Sequence, residues 1–193
     1  MQLSPIKLVV GLGNPGEKYN GTRHNAGFLF LDELCREFNA SLRVEKNFFG
    51  RMAQFEFSGQ TVRLLAPDTF MNLSGKSVVA AMNFYNIAIG EVLVVHDELD
   101  LSPGVAKLKQ SGGHGGHNGL RDIIAKTGSK DFARLRIGIG HPGQASAVSG
   151  YVLKKAPKAD YQRMLDALID GRRVIPKILT GDMQLAMNEL HTK

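Results

Sequence analysis

Two apolar runs constrain this chain more than any other feature: IKLVVGLG over residues 6–13 and EVLVVHDEL over 91–99. Neither alternates polar with apolar, so each predicts a strand buried on both faces. Such strands need helices on both sides of their sheet, and the rest of the sequence supplies them. Phe28, Leu31, Leu34, Cys35 and Phe38 recur at helical spacing, predicting a helix over about 24–39 with Asn20 or Thr22 available as its cap. Val78, Ala81, Met82 and Tyr85 predict a second helix starting near Ser74-Gly75, and a third opens near Asn118. Tyr161, Leu165, Leu168 and Ile169 mark a C-terminal helix, with Arg172, Arg173 and Lys177 on or beyond its last turn. MAQFEF and TVRLLA around Ser58-Gly59-Gln60 read as a hairpin. VAKLKQ and RLRIGIG add two strands, separated by a Gly-rich loop and the third helix. This alternation is that of an α/β layer fold, and with no repeat or Pro/Ser-rich linker it predicts one domain over residues 1–193.

Composition excludes several function classes. With 43% hydrophobic and 22% charged residues in 193, the chain can bury a sizeable core. No window approaches the ~20 consecutive apolar residues of a membrane span. The start MQLSPIKLVV lacks the marks of a secretory leader, so a cytoplasmic protein with no membrane contact is expected. One cysteine, Cys35, allows neither an internal disulfide nor Cys-based zinc spacing. The net charge of +6 is uneven: residues 1–102 carry 9 Lys+Arg against 11 Asp+Glu, and 103–193 carry 15 against 7. The second half therefore reads as a face for a polyanion, although some of this charge serves solubility.

Gly11-Leu12-Gly13-Asn14-Pro15-Gly16 matches the dinucleotide fingerprint, but its context does not. In that fingerprint the helix begins inside the motif and an acid for the ribose follows about 20 residues on. Here Pro15-Gly16 favours a turn and residues 24–39 still read as helix, so no nucleotide cofactor is expected. His24 follows the carboxyl end of the first strand, and His96-Asp97-Glu98-Leu99-Asp100 closes the second. Open α/β sheets place their sites at that rim, which makes His24 with Asp97 a general base and its orienting carboxylate. Glu98 is a weak substitute for Asp97, and Asp100 an exposed loop charge. No nucleophile is evident: Cys35 lies on an apolar stripe and no G-x-S-x-G elbow occurs. His114 and His117 in GGHGGH could chelate, yet their flanking glycines and missing carboxylate argue against a preformed metal cage. Asn14, Asn72 and Asn118 each sit in a strand-to-helix connection. They are either caps and turn residues, or amides offered to a peptide main chain.

GLGNPGEKYNGTRHNAGF, FMNLSGKSV, HDELDLSPGVAKLKQSGGHGGHNGLRDI and RLRIGIGHP resemble, in order and spacing, the blocks of the bacterial peptidyl-tRNA hydrolases. The resemblance implies a monomeric α/β hydrolase with a central twisted mixed β-sheet flanked by helices. Such an enzyme cleaves the ester between a peptide and the terminal ribose of tRNA, without a metal or cofactor. It puts the catalytic histidine at His24, its partner at Asp97 and the substrate-contacting asparagines at Asn14, Asn72 and Asn118. Tyr19 matches a tyrosine at the family's tRNA site, and Lys107, Lys109 and Arg134 fall where relatives hold tRNA phosphate. The alternative is an RNA-binding relative that has lost turnover. The intact His24, Asp97 and asparagine set argues for the enzyme.

Overall fold

A computed structural model describes residues 4–192. The two apolar runs form the centre of one seven-stranded sheet, as β1 (Leu8–Gly11) and β5 (Val92–Glu98). The other strands are β2 (Arg43–Glu45), β3 (Gly50–Phe57), β4 (Gln60–Pro67), β6 (Ala106–Lys109) and β7 (Ala133–Gly138). Their order is β2-β3-β4-β1-β5-β7-β6. The four central strands run parallel, while β2, β3 and β6 are antiparallel to their neighbours, so the sheet is mixed.

The helices are α1 (Ala26–Glu37), α2 (Ser74–Tyr85), α3 (Asn118–Thr127), α4 (Val148–Val152), α5 (Lys158–Leu179) and α6 (Met183–His191). In β1, Val9 turns to a core built with Phe30, Leu31 and Leu34 of α1 and Leu168, Val174 and Ile175 of α5. Leu8 and Val10 turn to the opposite core, with Val78 of α2 and Leu120 and Ile123 of α3. Both faces are thus covered, which is why the run is continuously apolar.

The first strand is shorter than the apolar run, because residues 12–22 leave the sheet as a loop. The first helix also starts later than expected, after a 3-10 turn at Arg23–Asn25. Neither expected residue caps it. The Thr22 hydroxyl donates to the Tyr19 carbonyl, and the residue preceding α1 is Asn25. α1 crosses the ends of β1 and β5 in near-contact, and glycine permits this. A Cβ on Gly27 would stand 2.2 Å from the Leu12 nitrogen and 2.5 Å from the Val95 oxygen, and one on Gly11 would stand 2.3 Å from the Gly27 oxygen. This approach brings the turn holding His24 onto the carboxyl rim of the sheet.

The C-terminal helix runs further than the sequence suggests, through Pro176 to Leu179, and places Arg172 and Arg173 inside it. These two cations and Lys177 face acids: Arg172 pairs with Glu33 at 3.2 Å, Arg173 with Asp170 at 2.8 Å and Lys177 with Glu189 at 2.6 Å. Among the described residues, no helix is long and apolar enough to cross a membrane.

Candidate active site

Asn14 is fixed at both ends of its own residue by the turn before α1. Its N–H donates to Asn25 Oδ1 at 2.8 Å, and its carbonyl accepts from Asn25 Nδ2 at 3.0 Å. The Asn14 side-chain oxygen accepts the Met71 N–H at 2.7 Å, which leaves the Nδ2 end as the donor not committed to the protein. Asn25 thus serves as a splint between the loop and the His24 turn, a role with no sequence signal beyond its position in RHNAGF.

His24 and Asp97 meet. Nδ1–H of His24 donates to the Asp97 carboxylate, at 3.0 Å from Oδ1 and 2.9 Å from Oδ2, which leaves Nε2 with its lone pair free. Burial works against the imidazolium, but the charge of Asp97 and its hydrogen bond outweigh it and raise the His24 pKa. Burial also opposes the Asp97 carboxylate, yet His24 and His117 hold it well below the ordinary range.

His117, which the sequence brings forward only as a possible chelator beside His114, joins the Asp97 carboxylate instead. Its Nδ1 accepts the Gly119 and Leu120 N–H groups at 3.2 and 3.3 Å and so caps α3. Nε2 must therefore carry the proton, and it donates to Asp97 Oδ1 at 2.8 Å. A histidine as N-cap is outside the usual set of Ser, Thr, Asp and Asn, so no capping pattern points to it. His96, fully buried, donates from Nδ1 to the Asp97 carbonyl at 2.8 Å, and burial pushes its pKa down to about 3. Asp97 therefore lies amid three histidines, two of which donate to its carboxylate.

Ligand atoms of His24, Asp97 and His117 lie within 4.8 Å of one another, the one grouping among the described residues with metal-ligand composition. The donor set fits a metal poorly. Both imidazole nitrogens facing Asp97 carry protons, and freeing Nε2 of His117 would put a proton on the Nδ1 that caps α3. In the His114–His117 pair, which the sequence argues against as a metal cage, Nδ1 of His114 accepts the Gly116 N–H at 3.0 Å.

These groups line a cleft of about 630 Å³ that Asn72 and Asn118 also face. Both asparagines are exposed, and Asn118 Oδ1 accepts from Arg121 at 2.7 Å. The apolar wall comes from Phe70, Val148, Val152 and Leu153. Glu98 lines the cleft too, but is tied to Arg136 at 3.1 Å and does not replace Asp97. Cys35 is half-buried away from the cleft, and burial raises its thiol pKa.

The family model for peptidyl-tRNA hydrolase matches residues 8–193. The chain belongs to the peptidyl-tRNA hydrolase family. Curated peptidyl-tRNA hydrolases of Tolumonas auensis and Pseudomonas putida strain F1 are each 56% identical to it, covering 97% and 99% of this chain and 96% and 99% of their own. The crystal structure of the Acinetobacter baumannii peptidyl-tRNA hydrolase superposes with a TM-score of 0.95 at 46% identity, covering 100% of this chain and 97% of that one.

In this member of the peptidyl-tRNA hydrolase family the remaining expected residues divide. Tyr19, half-buried, is not among the residues lining the cleft. Lys107 and Lys109 are exposed on β6, whose Ala106 and Leu108 turn inward. Arg134, expected as a phosphate ligand, is interior. It is 2% exposed, and its guanidinium donates to the Gly112, Gly113 and Lys130 carbonyls. Arg134 secures the Gly-rich loop from beneath and offers nothing to solvent. Alternation along RLRIGIG could not reveal this, because a central strand turns side chains into the molecule on both faces.

Proposed function

We propose that the peptidyl-tRNA hydrolase activity of this chain runs by water attack on the ester joining the peptide to the terminal ribose of tRNA, with His24 Nε2 as general base. Asp97 orients the imidazole through Nδ1–H and stabilises the imidazolium that forms. A positioned base contributes about 10²- to 10⁴-fold, or ~3–5 kcal/mol of barrier, enough to matter for an ester whose leaving group is a sugar hydroxyl. The Asn14 amide is a donor for the peptide carbonyl, and Asn72 and Asn118 bind the peptide main chain. Lys107 and Lys109 hold tRNA phosphate, and Tyr19 lies at the tRNA site. The protein acts as a monomer in the cytoplasm, where translation produces its substrate.

One observation carries this reading: a His–Asp hydrogen bond of 2.9 Å in the same cleft as a half-committed asparagine amide. The test is His24→Ala. Equilibrium binding of peptidyl-tRNA is expected to stay close to wild type while single-turnover cleavage falls at least about 10²-fold. Cleavage within a few-fold of wild type removes His24 as the base.

A further inference from the structure

The residue before the proposed base holds one wall of the cleft. Arg23 is 7% exposed, and its guanidinium lies 3.8 Å from the centre of the Tyr151 ring. Its Nη1 donates to the Tyr151 carbonyl at 3.0 Å, the Lys154 carbonyl at 3.3 Å and the Lys155 carbonyl at 3.5 Å. Its backbone N–H donates to the Lys154 carbonyl at 3.1 Å, and Thr22 bridges Lys155 in antiparallel pairing. Arg23 thus binds carbonyls at and just beyond the end of α4, stacks on an aromatic ring and extends a two-residue backbone pairing.

The wall has few other polar ties. The Tyr151 hydroxyl donates to the Ile139 carbonyl at 2.6 Å, just past the end of β7, and residues 143–147 are exposed. Val152 packs into the core, while Val148, Ser149, Val152 and Leu153 line the cleft. Lysine could not do the same work, because a point charge on a flexible stem does not stack flat on a ring as the Arg23 guanidinium does on Tyr151.

We propose that Arg23 is a positioning residue: a latch that fastens the α4 wall, residues 148–155, to the turn carrying His24, so that the wall is in place to hold the peptide. The inference rests on the cleft being the peptide site. His24 and Asp97 keep their own hydrogen bond when the latch is cut, because neither bonds to the Arg23 side chain. The signature is therefore a defect in substrate fit with the chemistry largely kept.

Arg23→Gln and Tyr151→Leu break the latch from opposite sides. The second leaves Arg23 in place and keeps the test alive if the first does not fold. Hydrogen exchange of the 148–155 amides, with α1 and β5 as internal reference, reads the latch without substrate. Exchange there is expected to quicken at least about 10-fold in each variant, with α1 and β5 unchanged. KM for peptidyl-tRNA is expected to rise at least about 10-fold, with kcat within about 3-fold and the acid limb of the pH profile unmoved. Arg23→Lys should recover little of the loss. Unchanged exchange, or faster exchange with an unchanged KM, overturns the proposal, as does a fall in kcat alone. Failure of the cleft reading itself shows separately, as normal turnover in His24→Ala.

Discussion

At the residue scale, the chemistry turns on which nitrogen of each histidine holds a proton, and the hydrogen bonds decide this three times over. His24 is protonated at Nδ1 by its contact with Asp97, His117 at Nε2 because the α3 backbone occupies its other nitrogen, and His96 at Nδ1 by the Asp97 carbonyl. The raised His24 pKa has a kinetic consequence. A general base must be unprotonated, so kcat/KM should fall on the acid side through a pKa above the ordinary histidine value. Asp97→Asn removes the charge that raises it. The acid limb should then move to lower pH while the plateau drops, since the amide cannot stabilise imidazolium and permits the wrong tautomer. Combining Asp97→Asn with His24→Ala should cost little more than the worse single change, because the pair acts as one unit. An acid limb unmoved in Asp97→Asn, or fully multiplicative losses, would separate the two residues.

At the element scale, β6 shows how a strand can serve two partners. It is an edge strand, and its Leu108 N–H is taken by Nε2 of His191 at 3.0 Å, so α6 closes a position that would otherwise invite pairing with another chain. Its outward residues, Lys107 and Lys109, also discourage such pairing, but they stand on the basic half of the chain without an acidic partner at salt-bridge distance among the described residues. Replacing both with Ala should weaken tRNA binding and lower the slope of log affinity against log salt by roughly one to two units. Arg134→Met, by contrast, should leave that slope unchanged and lower stability, because it frees the Gly112 and Gly113 carbonyls. Filter binding across a salt series distinguishes the two. A full slope in the double lysine variant would mean that the RNA lies on another face.

At the scale of the whole molecule, folding stability should carry the mark of His96. Its pKa is about 3 when folded and near 6.5 in an open chain, so the unfolded state binds the extra proton as pH falls. Its contribution is complete above about 6.5 and is lost toward 3, at about 1.4 kcal/mol per pH unit. Between pH 6.5 and 5 the loss is about 2 kcal/mol. His24, with its raised pKa, contributes fully below 6.5 and so is constant across that window. Asp97, with its lowered pKa, weakens only as pH nears the ordinary carboxylate range. Urea melts of wild type and His96→Asn at the two pH values isolate the effect: the wild type should lose stability and the variant should lose about 2 kcal/mol less. Parallel losses would show that His96 does not stay neutral in the folded protein.

The sequence by itself determined the layer architecture, because continuous apolar strands and 3.6-residue stripes are local consequences of burial. It also pointed to the rim for His24, Asp97, Asn14 and Asn72, since each follows or ends a strand of the parallel centre; Asn118 follows the antiparallel β6, so the Gly-rich loop has to carry it back to that rim. Three things only the tertiary structure decided. His117 joined the Asp97 network because α3 starts beside β5, although 20 residues separate the two in sequence. Arg134 left the charged surface because its strand is interior and a glycine loop sits over it with open carbonyls. Arg23 became the fastening of a wall more than a hundred residues away, a pairing that neither local spacing nor composition encodes. In each case the deciding quantity is a polar group needing a partner once water is excluded, and which partner arrives depends on how distant segments pack.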